Sequence, residues 1–171
     1  FTQAIFPKYR IGTGHYFKND WVNIAVDYSL NKRKEHKNDL SDITFFDLQN
    51  NISAHWETDF ERITRSNLHN LNTAVDFTLG ERSNLNVSSS VFLDPETTYD
   101  NKEVTKILSP SGNLDSLFAT NSHLNIKKHN IALDATFTQV LNNKGAVLTA
   151  NVHYTNFDHR REQHLTTAYF S

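Results

Sequence analysis

The sequence predicts an all-β fold: an antiparallel, up-and-down transmembrane β-barrel segment of about six long strands. Three observations predict it. Side chains alternate between apolar and polar with period two over long stretches, as in a strand with two unlike faces. Three short turn sequences, Lys18–Asp20, Gly80–Asn84 and Asn142–Gly145, recur at intervals of roughly 62 residues, the pattern of repeated long hairpins. Each apolar stripe stops after about nine or ten residues, the length of a tilted strand crossing a hydrocarbon slab.

The first strand is expected over residues 9–17 and ends at the first turn. The second, over 21–45, opens with Val22, Ile24, Val26, Tyr28 and Leu30 on one face and Asn23, Ala25, Asp27 and Ser29 on the other. The third, over 55–79, approaches the second turn with Leu71, Val75 and Phe77 opposite Asn72, Ala74 and Asp76. The fourth, over 84–106, leaves it with Leu85, Val87, Val91 and Leu93 opposite Asn86, Ser88 and Ser90. The fifth, over 117–141, carries Ile131, Leu133, Ala135 and Phe137 against Ala132, Asp134 and Thr136. The sixth, over 146–170, carries Leu148, Ala150, Val152 and Tyr154 against Thr149, Asn151 and His153. Beyond the stripes the chain does not turn at once but continues as charged, Asn-rich sequence such as "NKRKEHKNDLSD". It is expected to reverse near Phe46–Ser53 and Ser109–Asn113, with long loops on that side. No segment sustains a 3.6-residue period, so helix is not expected.

The greasy face could be covered by a second protein layer or by lipid. A soluble sandwich uses strands of about five or six residues with frequent turns. A solenoid would need a shorter repeat and more than the 5 glycines present. An apolar band, a polar lumen and short turns on one side fit a membrane barrel better.

Composition narrows the function classes. Only 37% of residues are hydrophobic, so material for an ordinary core is short. A net charge of −2 without a clustered basic surface argues against a nucleic-acid partner. The absence of cysteine excludes disulfides and thiolate metal sites. There is no run of about eighteen apolar residues for a membrane helix. No signal peptide is visible, and a chain that starts at Phe1 and lacks methionine reads as a piece of a larger one.

The hairpin "HNLNTAVDFTLGERSNLNVSSSVF" resembles the outer-membrane β-barrel family common in Bacteroidetes, the barrel portions of TonB-dependent receptor-like proteins with an N-terminal carboxypeptidase-regulatory-like domain. "LNNKGAVLTANVHYTNFDHRREQ" resembles the next hairpin of that family and "DWVNIAVDYSLNKRKEH" the preceding strand, so the resemblance spans nearly the whole chain. It implies one outer-membrane barrel domain, of which residues 1–171 are an internal slice without plug, TonB box or most strands. It implies TonB-dependent uptake of a nutrient, with the rest of the barrel and plug, TonB and a surface lipoprotein as partners. It brings no catalytic or ligand motif.

His153, His159 and His164 lie on one strand, but His164 faces away from the other two, and no histidine pair has the local spacing of a metal site. Asp27, Asp76 and Asp134 recur on the polar face; they read as a solvated wall, because no His or Ser nucleophile recurs beside them. Trp21, Tyr28, Phe77, Phe137 and Tyr154 are expected at the ends of the stripes, as an aromatic girdle. Lys32 and Lys34 continue the apolar face of 22–30 just beyond its end, and Arg65, Lys127 and Arg160 are expected at the same level and face. There they could meet lipopolysaccharide phosphates, with outer-membrane lipid below them. Phe45, Phe46, Trp56 and Phe60 lie far out near a turn and are candidate extracellular ligand contacts. No cofactor and no catalytic constellation are expected, so the chain does not read as an enzyme. The other readings are a structural or adhesive outer-membrane barrel without transport and a soluble β-rich carbohydrate-binding or surface module.

Overall fold

Five tight reversals divide the chain into six strands. In a computed structural model describing residues 6 and 8–170, these are β1 (Tyr9–Lys18), β2 (Val22–Phe46), β3 (Ile52–Thr78), β4 (Ser83–Leu108), β5 (Leu114–Val140) and β6 (Val147–Phe170). They form one antiparallel sheet in sequence order, with each strand paired to the next and 85% of the protein in strand. The sheet is open: β1 and β6 are not paired with each other.

The reversals follow from side chains that satisfy a turn's own backbone. Asn19 Oδ1 accepts from the amides of Trp21 and Val22 at 3.0 and 2.8 Å. Asn142 Oδ1 does the same for Lys144 and Ala146 at 2.9 and 3.2 Å. At the other end, Asp47–Asn51 and Ser109–Asn113 close in the same way, through Asp47 N to Asn51 O and Ser109 N to Asn113 O, both 2.8 Å. The fourth residue of each needs positive φ: Asn50 at 64° in one, Gly112 at 82° in the other, the residue types that tolerate it. The long loops expected on this side are therefore absent. The polar sequence beyond the stripes stays in the ladder as strand, and the connections there are as short as those at the opposite end.

Register sorts the side chains onto two faces, because directly paired residues point the same way. Ile24 pairs with Val75, Val75 with Val87, Val87 with Ala135 and Ala135 with Val152, a continuous apolar row across five strands. The rows above and below it are similar, from Phe77 and Leu85 at one end to Leu71, Val91 and Ile131 at the other. Tyr154 pairs with Leu133 inside this zone, so it is not an end-of-stripe aromatic as its sequence position suggested. Two mid-zone polar residues on this face, Thr73 and Ser89, pair with each other and share a hydrogen bond of 2.7 Å. Trp21 stacks on Phe77 at the turn end, ring centroids 6.4 Å apart.

The opposite face is polar over the same rows. Asp76 accepts from Asn23 Nδ2 at 3.2 Å and Asn86 Nδ2 at 3.0 Å, and Asp134 contacts His153 Nδ1 at 2.6 Å. A histidine thus stands beside one of the three repeated aspartates and does not recur at the other two. Its other ring nitrogen is engaged by Thr155 Oγ1 at 2.8 Å.

Among the described residues no second layer covers either face. Val22 is the only buried hydrophobic side chain among the described residues, while Val152 is 67% exposed on the apolar face. The buried polar side chains Thr64, Ser66, Asp94, Thr97, Thr105 and Ser122 all lie on the polar face. The sheet thus lacks the buried apolar core by which a water-soluble domain offsets its chain entropy.

One irregularity matters for the site. Between His69–Leu93 and Ser66–Thr97, β4 spends one more residue than β3, and it does the same against β5. This bulge at Pro95–Glu96 exchanges the faces along β4: odd residues point with the apolar rows before it, even residues after it. Proline suits the bulge because it has no N–H to give the ladder.

Candidate functional site

Immediately beyond the apolar rows lies a band of cationic side chains. Lys32 is opposite Asn67, Lys34 is opposite Arg65, and Lys127 is opposite Arg160. All five share the face of the apolar rows, but in two adjacent levels rather than one: Lys32, Lys127 and Arg160 in the nearer, Lys34 and Arg65 in the next. On β4 the bulge puts Glu96 in the nearer level, where its Oε1 accepts from Asn125 Nδ2 at 3.2 Å.

These cations are not equivalent. Arg65 is hydrogen-bonded to Asp100, and Arg160 Nε donates to Asp158 at 3.0 Å. Lys32, Lys34 and Lys127 form no ion pair among the described residues. Lys34 Nζ stands 3.8 Å over the Phe6 ring. Two clefts flank the bulge on this face. One, of about 420 Å³, is lined by Tyr9, Lys32, Lys34, Arg65, Asn67 and Thr98, among others. The second, of about 460 Å³, is lined by His69, Leu93, Lys127, His129 and Arg160, together with Asp158.

Above the band, Asp100 bridges two strands. His123 Nδ1 lies 2.6 Å from its Oδ1, and Arg65 holds its other oxygen. The hydrogen bond from His123, then those of Arg65, keep the Asp100 carboxyl below its ordinary range against a partial burial that pushes the other way.

The far end of the opposite face carries an aromatic ladder. Phe45 lies 5.0 Å from Trp56, Trp56 is 6.2 Å from Phe118 in an edge-on contact, and Phe118 is 6.1 Å from Tyr169, centroid to centroid. It crosses the sheet over the fully buried Thr105, whose hydroxyl bonds Thr58 at 2.9 Å. Small threonines beneath large rings let the rings lie across several strands. Phe60 shares this face a few levels closer to the band, with the Arg62 guanidinium 5.0 Å from its ring. Phe46 lies beyond a register shift at the strand end and is not part of the ladder. Of the four aromatics marked by sequence, two belong to the ladder; Phe118 and Tyr169 complete it. Direct pairing of Phe118 with Tyr169 depends on the β5–β6 register, which neither strand's own pattern reveals.

Among the described residues, no group of three or more His, Asp or Glu side chains is placed to hold a metal ion. No helix is long and apolar enough to cross a membrane, which says nothing of strands. No protein-family model matches the chain, and no curated protein matches it significantly.

Proposed function

We propose that this sheet is part of the wall of an outer-membrane β-barrel receptor or transporter, in which the apolar rows face lipid and the polar face lines the lumen. The observation that carries the reading is the register: five strands align their apolar residues on one face while the other stays polar and hydrogen-bonded. From Val22 to Leu30 the stripe runs about 27 Å along the strand and about 21 Å in height at a tilt near 40°, close to the ~25 Å band of such barrels. The mutual hydrogen bond of Thr73 and Ser89 suits a surface without water. Strand edges that would be a liability in solution are paired in a closed barrel.

The family resemblance makes TonB-dependent uptake of a nutrient the transport mode of choice. The barrel is then the passive wall, and a plug moved by TonB opens the path. With short connections at the outer end, substrate contact falls to the lumen face of the strand extensions. There the Phe45–Trp56–Phe118–Tyr169 ladder offers stacking surfaces roughly 35 Å along the strand beyond the cationic band.

The test is solubility. Residues 1–171 expressed without detergent should aggregate, because apolar rows and two strand edges are open to water. A monodisperse water-soluble monomer with one cooperative unfolding transition would overturn the wall reading in favour of a soluble β-module.

A further inference from the structure

We propose that the cleft between β1, β2, β3 and the β4 bulge binds the phosphate of a membrane-lipid headgroup, through Lys32, Lys34 and Arg65. The proposal rests on the wall reading above, which puts this face toward lipid. Four observations converge on it. The cleft opens one level beyond the mixed row in which Leu30 pairs with His69 and His69 with Leu93, and two beyond the row of Leu71 and Val91, so a ligand seated there can keep its acyl chains against the band. Lys32 and Lys34 carry charge that no carboxylate neutralises among the described residues. Arg65 points the same way and, although tied to Asp100 through Nη1, has further N–H groups to donate. Asn67, Thr98 and Tyr9 line the same space and carry uncharged hydrogen-bonding groups.

The volume of about 420 Å³ is large enough for a phosphorylated sugar and generous for a bare anion. The chemistry that fits is therefore a phosphosaccharide lipid: phosphate on the ammonium and guanidinium groups, sugar hydroxyls on Asn67 and Thr98, chains below. Glu96 borders the cleft, and its bond to Asn125 draws it toward β5 and away from the lysines. The cleft across the bulge is a weaker site, because Asp158 already engages Arg160 and leaves Lys127 alone.

The experiment uses the full-length protein that carries this segment, extracted from the outer membrane in mild detergent. Native mass spectrometry would follow retention of a phosphorylated disaccharide lipid and of its dephosphorylated counterpart. Heat-modifiable gel migration would report barrel assembly. The wild type should retain the phosphorylated lipid preferentially. Lys32→Gln/Lys34→Gln should lower that retention about tenfold, the effect of losing charge-assisted hydrogen bonds, with assembly intact. Lys32→Arg/Lys34→Arg should restore it, and Lys127→Gln should matter much less. Equal retention of both lipids by an assembled wild type would overturn the headgroup site alone. Complete displacement by millimolar inorganic phosphate would make it a free-anion site and overturn the lipid assignment. A wild type that never enters the membrane would overturn the wall reading, and this site with it.

Discussion

Thr97 donates its hydroxyl to Asp94 across the β4 bulge, 2.8 Å from Oδ1 and 3.0 Å from Oδ2. The carboxylate is almost wholly buried, and its other polar neighbour, Lys128 Nζ, stands 3.7 Å away. The bond spans the two residues that the ladder leaves unpaired, so it fixes the conformation in which β4 changes faces. Without that change, Thr97, Tyr99 and Asn101 would point to the cationic side, and Thr98 and Asp100 would leave it.

Thr97→Val should therefore cost about 1–3 kcal/mol, because it removes the nearest donor from a buried carboxylate while keeping the side-chain volume. Deleting Pro95 should be tolerated better than deleting Ser89. Loss of Pro95 removes the extra residue and leaves every later side chain on its present face. Loss of Ser89 inverts the residues between the deletion and the bulge. Assembly yield in a membrane and thermal stability of the assembled barrel would rank the three; equal damage from both deletions would show that the bulge does not absorb the change of face.

The six-strand, up-and-down order was legible in the sequence because period-two alternation and Asn- or Gly-containing turns are local signals. Lys32 and Lys34 could be assigned to the apolar face for the same reason: they continue the count from Val22. Arg65 was assignable on β3 alone. What could not be read is anything set between strands. The level of Arg65 relative to Lys127 depends on pairings through the β4 bulge, and one extra residue there is invisible to a pattern count. The second strand was read through charged sequence such as Lys34–Asp39, as the sheet has it, but the connections beyond it are shorter than the long loops expected. In the sheet its charges find partners across or along strands, as where Lys37 bonds Asp39 and His36 meets Glu61 at 2.9 Å. Phe118 and Tyr169 became part of the ladder only once β5 and β6 were aligned.

Asp100 should make the outer extension acid-sensitive. Because His123 and Arg65 hold its carboxyl below the ordinary range, the folded protein binds this proton less readily than the unfolded chain. Its contribution is complete above the unfolded value near pH 4 and fades as pH falls from there through the depressed folded value. Asp100→Asn should be less stable than wild type at neutral pH and should lose that difference toward pH 2. Hydrogen exchange in β3 and β5 near Arg65 and His123 would measure it. A constant difference across that range would remove Asp100 as the cause.

Orientation follows from where the strands extend. The short ends at Lys18–Val22, Leu79–Ser83 and Leu141–Val147 adjoin the apolar rows and should be periplasmic. Asp47–Asn51 and Ser109–Asn113 should lie outside the cell. Ser111→Cys should react with an impermeant maleimide on intact cells, whereas Glu81→Cys should react only after the outer membrane is opened. Both side chains are exposed, so a difference reports sidedness rather than burial. The reverse order of labelling would invert the topology.

The sharpest separation of lipid from lumen is a pair of arginines on one strand. Leu133 and Thr136 lie three residues apart on β5, so they face opposite ways, about 8 Å apart in depth at a tilt near 40°. Leu133 is flanked by Ser89 and Tyr154 in the apolar rows, and Thr136 by Asn86 and Asn151 on the polar face. At mid-band, arginine on the lipid side costs roughly 2–4 kcal/mol, whereas a wet lumen hydrates it. Leu133→Arg should therefore impair assembly far more than Thr136→Arg, and on β2 Val26→Arg should exceed Asn23→Arg by a similar margin. In a soluble two-layer protein Leu133→Arg would also be harmful, so the discriminating variant is Leu133→Phe. Lipid accommodates the larger ring freely, while a packed protein layer loses about 1–3 kcal/mol to overpacking. Leu133→Phe assembling as wild type while Leu133→Arg fails identifies lipid as the cover; damage from both would mean that a protein layer lies there instead.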